Sequence, residues 1–363
     1  MTSRRALIYG SNGYTGRLIV ERAVERGLRP VLAGRNAEEV EQQANDLGLE
    51  HRTFALDDPR VVDAGLAEID VVLHCAGPFA RTSRQMADAC LRARAHYLDI
   101  TGEIAVFEAL ALRDAEAKAS GVMLLPGVGF DVVPSDCLAA HLARRLPTAT
   151  RLSLGFQALG GLSRGTATTM IESGGGGGMI RRGGALVAVP AAWKSRRIDF
   201  GKGPRLATTI PWGDVSTAFH STGIGDVEVY VAVPAATRRM MIASRYLGWL
   251  LGSAPARGWL LRAVRRRPPG PDAAARARGV SRLWGEAEDA AGRLVTSRLT
   301  GPEGYTLTAL TAVAVLEKVL DGGARAGFQT PSRAFGADFV LEIDGVVRED
   351  LDPVARSDPR LRL

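Results

Sequence analysis

The chain has 363 residues and a mass of 38.6 kDa, longer than one ordinary core of about 100–200 residues, so two domains are expected. Apolar residues make up 46% and charged residues 23%, which excludes a disordered chain, a collagen and a disulfide scaffold. The net charge of +7 is uneven: residues 1–136 carry 15 basic and 20 acidic groups, residues 137–363 carry 31 and 19, so the second part holds the whole excess.

The first 136 residues alternate strand-like and helix-like segments. Residues 5–9 read as an apolar strand. Residues 14–26 repeat Leu18, Ile19 and Ala23 at helical spacing and stop at Gly27. A strand follows at 30–33. Asn36 and Glu39 then form a capping-box pair that opens a helix to Leu47. Strands follow at 51–56 and 69–75, the latter a continuous apolar run of the kind buried on both faces. A helix over 83–93, a strand over 97–100, a helix over 104–119 and a strand over 122–125 complete the series. Six strands alternating with helices predict an α/β, Rossmann-type doubly wound parallel sheet.

After about residue 147 the pattern changes to short strands at 151–159, 186–189, 205–210, 215–222 and 227–233. A hairpin is predicted over 281–300, and a long apolar helix over 305–320. The expected organisation is a nucleotide-binding domain over 1–136, an α+β substrate domain on a mostly antiparallel sheet over 137–304, and a C-terminal helix and tail over 305–363. The glycine run 174–178 follows a predicted helix at 166–173; it reads as a plain loop or as a lid over the active site.

The strongest motif is Gly10-Ser11-Asn12-Gly13-Tyr14-Thr15-Gly16. It lies between a strand and a helix, where a dinucleotide fingerprint lies: one glycine makes the turn, one lets the backbone approach the pyrophosphate, one packs helix against strand. The helix N-terminus then offers free N–H groups to phosphate. The second strand ends in Ala33-Gly34-Arg35-Asn36. An NAD site would carry an acid here; Arg35 instead suits a 2′-phosphate, so NADP(H) is the expected cofactor. Asp57, just past the third strand, borders the adenine or caps the helix at Pro59. The fourth strand ends in Cys75-Ala76-Gly77-Pro78, with small residues that let the cofactor ribose approach. A packing role is the plainer reading for Cys75.

Together with Asp99-Ile100-Thr101-Gly102-Glu103 and Gly129-Phe130-Asp131-Val132-Val133-Pro134-Ser135-Asp136, these motifs resemble the saccharopine dehydrogenase/reductase-like oxidoreductases. The branch they are most similar to contains the bacterial trans-acting enoyl reductases, whose tail pattern also fits Gly327–Pro331. The resemblance implies an NADP(H)-binding fold with an inserted substrate domain, and a helix at 305–320 that packs back on the first domain. Ser11-Asn12 replaces the family's more usual Ala-Thr.

Hydride transfer needs a proton donor beside the nicotinamide. Tyr97, Asp99, Thr101 and Glu103 sit at or past one strand end, so some should face the nicotinamide; Asp131, Ser135 and Asp136 follow the next strand. Tyr97, Asp131 and Ser135 are the catalytic candidates, and Asp99 and Thr101 are added to the cofactor-binding set. No lysine follows a tyrosine by four residues, which excludes the Tyr-x-x-x-Lys pair of short-chain dehydrogenases. The five histidines lack metal-ligand spacing, and His220 in a strand is structural. No metal is expected.

The expected function is NADPH-dependent reduction of an apolar C=C or C=N substrate, small or carrier- or lipid-linked. The alternative is a non-catalytic NADP(H)-binding regulator or membrane-associated scaffold. The greasy, arginine-flanked stretch 240–264 reads as two core-packed helices, a substrate tunnel, or a surface for membrane or an acidic carrier protein. A homodimer is left open. Nucleic-acid binding is not expected, because no recognised module accompanies the arginines. Three cysteines, an odd number, fit a reducing cytoplasmic setting, with peripheral attachment to the membrane as the other option.

Overall fold

Seven parallel strands form the sheet of the first compact unit. A computed structural model describes residues 4–159, 163–173, 177–251 and 254–351. The chain divides into one unit of Met1–Val133 with Tyr305–Phe335 and a second of Pro134–Gly304 with Gly336–Leu363.

In the first unit, β1 (Ala6–Tyr9), β2 (Val31–Gly34), β3 (His51–Thr53), β4 (Val71–His74), β5 (His96–Asp99) and β6 (Met123–Leu125) alternate with helices. A two-residue strand, Gly327–Phe328, adds the seventh beside β6, and the spatial order runs 327–328, β6, β5, β4, β1, β2, β3. The continuous apolar runs of β1, β2 and β4 are buried throughout, as helices on both faces require. Helix α1 (Tyr14–Glu25) follows β1 and α2 (Ala37–Leu47) follows β2. Asn36 caps α2 as expected: its Oδ1 accepts Glu39 N–H at 3.4 Å and its Nδ2 donates to Glu39 Oε1 at 2.8 Å. Helix α3 (Pro59–Gly65) is capped by Asp58, which accepts Arg60 N–H at 2.9 Å, not by Asp57. Helix α4 (Phe79–Ala93) starts four residues before the predicted point. The single helix expected over 104–119 is two, α5 (Ile104–Ala111) and α6 (Asp114–Ser120). The break falls at Leu112, which is 88% exposed.

The chain returns to this unit with the helix Gly304–Lys318, whose Glu317 pairs with Arg26 at 2.9 Å. Gly327 takes φ +99, and Phe328 N–H donates to Asp114 Oδ1 at 2.9 Å, which seats the last strand.

The second unit is built on a nine-stranded, mostly antiparallel sheet. Its longest strands, Ala149–Leu159, Val280–Asp289 and Leu294–Pro302, lie side by side, and the predicted hairpin is present. Two expectations fail here. Residues 215–222 are not a strand but the helix Asp214–Thr222, closed by left-handed Gly223, so His220 is helical. Val215 and Thr217 gave the segment a strand composition, yet the helix buries five consecutive residues from Asp214 to Ala218. The tail does not rejoin the first unit from Gly336 on. Val347–Leu351 pairs antiparallel with Leu294–Pro302, a partner a local pattern cannot name. Of the glycine run 174–178, residues 174–176 lie outside the described residues; Gly178 opens a strand. The stretch 240–264 is two helices, Ala235–Leu251 and Ala254–Arg265. Among the described residues no helix is long and apolar enough to cross a membrane.

Candidate functional site

The carboxyl ends of β1, β2, β4, β5 and β6 carry the candidate residues of the first unit. At β1 the chain turns at Gly10, whose φ is +81. A Cβ there would stand 2.9 Å from Ala76 Cβ, so loop and β4 end meet as closely as glycine allows. A Cβ on Gly16 would come 2.2 Å from Gly10 O, backbone that cannot step aside. Gly10 and Ser11 N–H groups bond Ala33 O at 2.7 and 3.2 Å, fixing the loop to β2. Helix α1 begins after Gly13 with no side-chain cap and no acid in its first turn. Its N-terminal N–H groups therefore face outward with a positive dipole end, as an anion site needs. Ser11 is fully buried, and its Oγ has no partner among the described residues. Asn12 Nδ2 donates to Glu39 Oε2 at 2.9 Å, so the loop is tied to the start of α2. Tyr14 packs edge-on against Tyr305 at 5.1 Å; Thr15 is half-buried.

At the β2 end Arg35 is exposed and makes no ion pair among the described residues. It and Asp57 both act on the Tyr9 hydroxyl. Burial pushes that group up to about 12, Arg35 lowers it and Asp57 raises it. The two charges thus share one neighbourhood, with Asn36 next to Arg35 in the chain.

At the β4 end the side chains are closed in. His74 is buried among Tyr9, Phe79 and Tyr97, and burial lowers it to about 3, so it is neutral. Its Nε2 meets Thr82 Oγ1 at 2.9 Å, and that hydroxyl donates to Ala76 O at 2.8 Å. The imidazole therefore donates, and it braces the turn at Ala76, Gly77 and Pro78, whose Gly77–Pro78 bond is cis. Burial pushes the Cys75 thiol far up, so it is no thiolate nucleophile.

The β5 end is a closed network. Tyr97 donates to Asp99 Oδ2 at 2.6 Å; Asp99 Oδ1 accepts Thr101 N–H and Gly127 N–H, both at 2.9 Å. Tyr97, Asp99 and Thr101 are buried. Burial raises Asp99 to about 6, against the lowering effect of those three bonds, and raises Tyr97 well above its ordinary value. Glu103 reaches back to accept Phe79 and Ala80 N–H at 2.8 and 2.9 Å, filling the N-terminus of α4. Asp131, half-buried, lies over Gly102, where a Cβ would stand 2.9 Å from Asp131 Oδ2. Burial raises Asp131 to about 6. Ser135 belongs to the second unit and is buried near the start of the helix Val133–Arg145; Asp136 accepts a bond from Ser221 there.

The returning helix supplies residues that sequence reasoning missed. Thr308 Oγ1 accepts Phe130 N–H at 3.0 Å and Thr311 donates to Val128 O at 2.8 Å. Two threonines three apart on one face of an apolar helix were the available signal.

A seven-stranded doubly wound parallel sheet with a glycine turn between β1 and α1 makes the first unit a Rossmann-type unit. Residues 6–125 match the saccharopine dehydrogenase NADP binding domain, a domain whose nucleotide is NADP(H). A trans-acting enoyl reductase of Mycobacterium leprae is 31% identical over 148 residues, 39% of this chain and 35% of that protein. One of Mycobacterium tuberculosis is 31% identical over 147 residues, 38% and 35%. The match thus spans about a third of the length of these curated relatives. The fold of the whole is saccharopine dehydrogenase-like. The apo saccharopine dehydrogenase (L-Glu forming) of Saccharomyces cerevisiae superposes with a TM-score of 0.66 at 12% identity, over 96% of this chain and 100% of that one.

Proposed function

We propose that the protein is an NADPH-dependent reductase of an apolar C=C or C=N bond on a small or carrier-linked substrate. The observation that carries the reading is Arg35, a cation with no ion pair among the described residues at the β2 end, beside a helix with no side-chain cap and two glycines, Gly10 and Gly16, that a Cβ would block. These residues fit the nucleotide. Gly10, Ser11, Asn12, Gly13, Tyr14, Thr15 and Gly16 would hold the pyrophosphate, and Arg35 and Asn36 the 2′-phosphate, with Asp57 near the adenine. Cys75, Ala76, Gly77 and Pro78 would border the ribose. Bound NADPH supplies a hydride.

The chain's own part is to orient that nucleotide and to deliver a proton. Asp99 and Thr101 hold the loop after β5 in shape. Tyr97 gives its hydroxyl hydrogen to Asp99 and so is a brace. Asp131, half-buried and raised to about 6, holds a proton in an appreciable fraction of molecules near neutral pH and is the preferred donor. Ser135 is the remaining candidate. The enoyl reductase relatives support an alkene conjugated to a carbonyl.

The test is a fluorescence titration with NADPH and NADH, then NADPH oxidation across enoyl thioesters and imines. NADPH binding with turnover of an enoyl substrate supports the proposal. NADPH binding without oxidation of any substrate selects the regulator reading, which the closure of Tyr97 upon Asp99 favours.

A further inference from the structure

We infer that the helix pair Ala235–Leu251 and Ala254–Arg265 of the second unit is a docking face for an anionic lipid bilayer. The inference is independent of the nucleotide site. Residues 235–271 hold eight arginines and no acid. Elsewhere arginines are commonly neutralised: Arg92 by Asp63 at 2.7 Å, Arg144 by Asp338 at 3.0 Å, Arg196 by Glu286 at 3.0 Å. Here Arg238, Arg239, Arg262, Arg265, Arg266 and Arg267 make no ion pair among the described residues.

The same segment exposes large apolar side chains. Met240 is 66% exposed, Tyr246 77% and Trp259 67%. Tyr246 and Trp259 are the two exposed aromatic side chains among the described residues. The exposure follows helical spacing. On the first helix Arg239, Met240, Ala243 and Tyr246 face out; on the second, Trp259, Arg262, Ala263 and Arg266 do. On the other side of the first helix Arg245 Nε donates to Ala191 O at 2.6 Å, and on the second helix Val264 is buried. Past the second helix, Arg164 N–H bonds Pro269 O at 2.9 Å.

Charge complementarity selects the occupant. Uncompensated cations interleaved with a tryptophan, a tyrosine and a methionine match an interface of anionic headgroups over acyl chains. Guanidinium groups bind lipid phosphates while the apolar side chains enter the boundary.

The experiment is co-sedimentation of the full chain with vesicles of phosphatidylcholine, or of phosphatidylcholine mixed with phosphatidylglycerol. Binding to the mixed vesicles alone, weakened by salt, is expected. Arg262→Gln with Arg266→Gln should lower partitioning about fivefold per charge, roughly 25-fold for the pair. Tyr246→Ala with Trp259→Ala should lower it by at least about tenfold. All four positions are exposed, and an unchanged circular dichroism spectrum shows that the variants fold. A blue shift of emission on mixed vesicles that disappears in Trp259→Ala supports insertion. No co-sedimentation, equal binding to phosphatidylcholine alone, or equal binding by both double variants overturns the proposal. So does tight binding of a purified acidic carrier protein by a chain that ignores vesicles.

Discussion

The two sides of the first unit's sheet treat polar groups in opposite ways. At the ends of β1 and β2, they are left open: α1 has no cap, Ser11 Oγ has no partner, and Arg35 has no counter-ion among the described residues. At the ends of β5 and β6 they are closed on one another, and at β4 His74 is bonded through Nε2 while its Nδ1 has no partner among the described residues. Tyr97 serves Asp99, Asp99 serves Thr101 and Gly127, and Glu103 fills α4. Open donors in a rigid frame make a ligand site; closed networks make the frame. A motif that places polar residues at strand ends does not say which kind they are.

The sharpest way to break this contrast is Gly16→Ala. The new Cβ overlaps Gly10 O, so the phosphate loop must move. Loss of measurable NADPH binding is expected, with destabilisation of about 3 kcal/mol, read by titration and thermal melting. Arg35→Ala should act on the open side alone. It should weaken NADPH about 10- to 100-fold through one lost charge-assisted contact, leave NADH binding unchanged and leave the melting temperature unchanged. If both nucleotides weaken equally, Arg35 is not the selecting group.

Asp99→Asn probes the closed side through pH. Burial holds Asp99 at about 6, above its ordinary 3.8. The folded chain therefore keeps this proton more firmly than the unfolded one. Stability from this carboxyl is greatest below about pH 4 and declines as pH rises through about 6. Asparagine keeps an acceptor for Thr101 and Gly127 and carries no charge, while its Nδ2 replaces the oxygen that accepts the Tyr97 hydroxyl, a loss of about 1 kcal/mol set against the gain. The variant should lose part of that decline and gain up to about 3 kcal/mol at neutral pH, measured by denaturant unfolding at several pH values. The slope that remains belongs partly to Asp131, raised in the same way. The smallest effect is expected from Thr308→Val, which removes one acceptor from Phe130 N–H. About 1 kcal/mol of stability should go, with faster amide exchange at Phe130.

The open side was legible because it is local. The glycine loop, the strand before it, the helix after it and Arg35 all lie within about thirty residues, and glycine spacing dictates backbone geometry directly. The Asn36–Glu39 cap was legible for the same reason. What escaped depends on distant partners. The Thr308 and Thr311 contacts with residues 128–130 cross the whole second unit, and the pairing of Val347–Leu351 has no local trace. Asp214–Thr222 was misread because β-branched residues mark a strand by composition, while Gly213 and Gly223 mark a short helix by position. Tyr97 drew attention as an acid at a strand end, yet its alternation within β5 points it into the core.

The return of the chain at Tyr305 also orders events in time. The first unit is sewn from two stretches, with Pro134–Gly304 between them. During synthesis β6 emerges long before Gly327–Phe328, and Val128 and Phe130 before Thr311 and Thr308. Until the later stretch arrives, β6 is an open sheet edge, a template for pairing with another chain. A nascent chain stalled within the second unit should therefore present its nucleotide loop early and its sheet edge unguarded, and holdase chaperones would find it there.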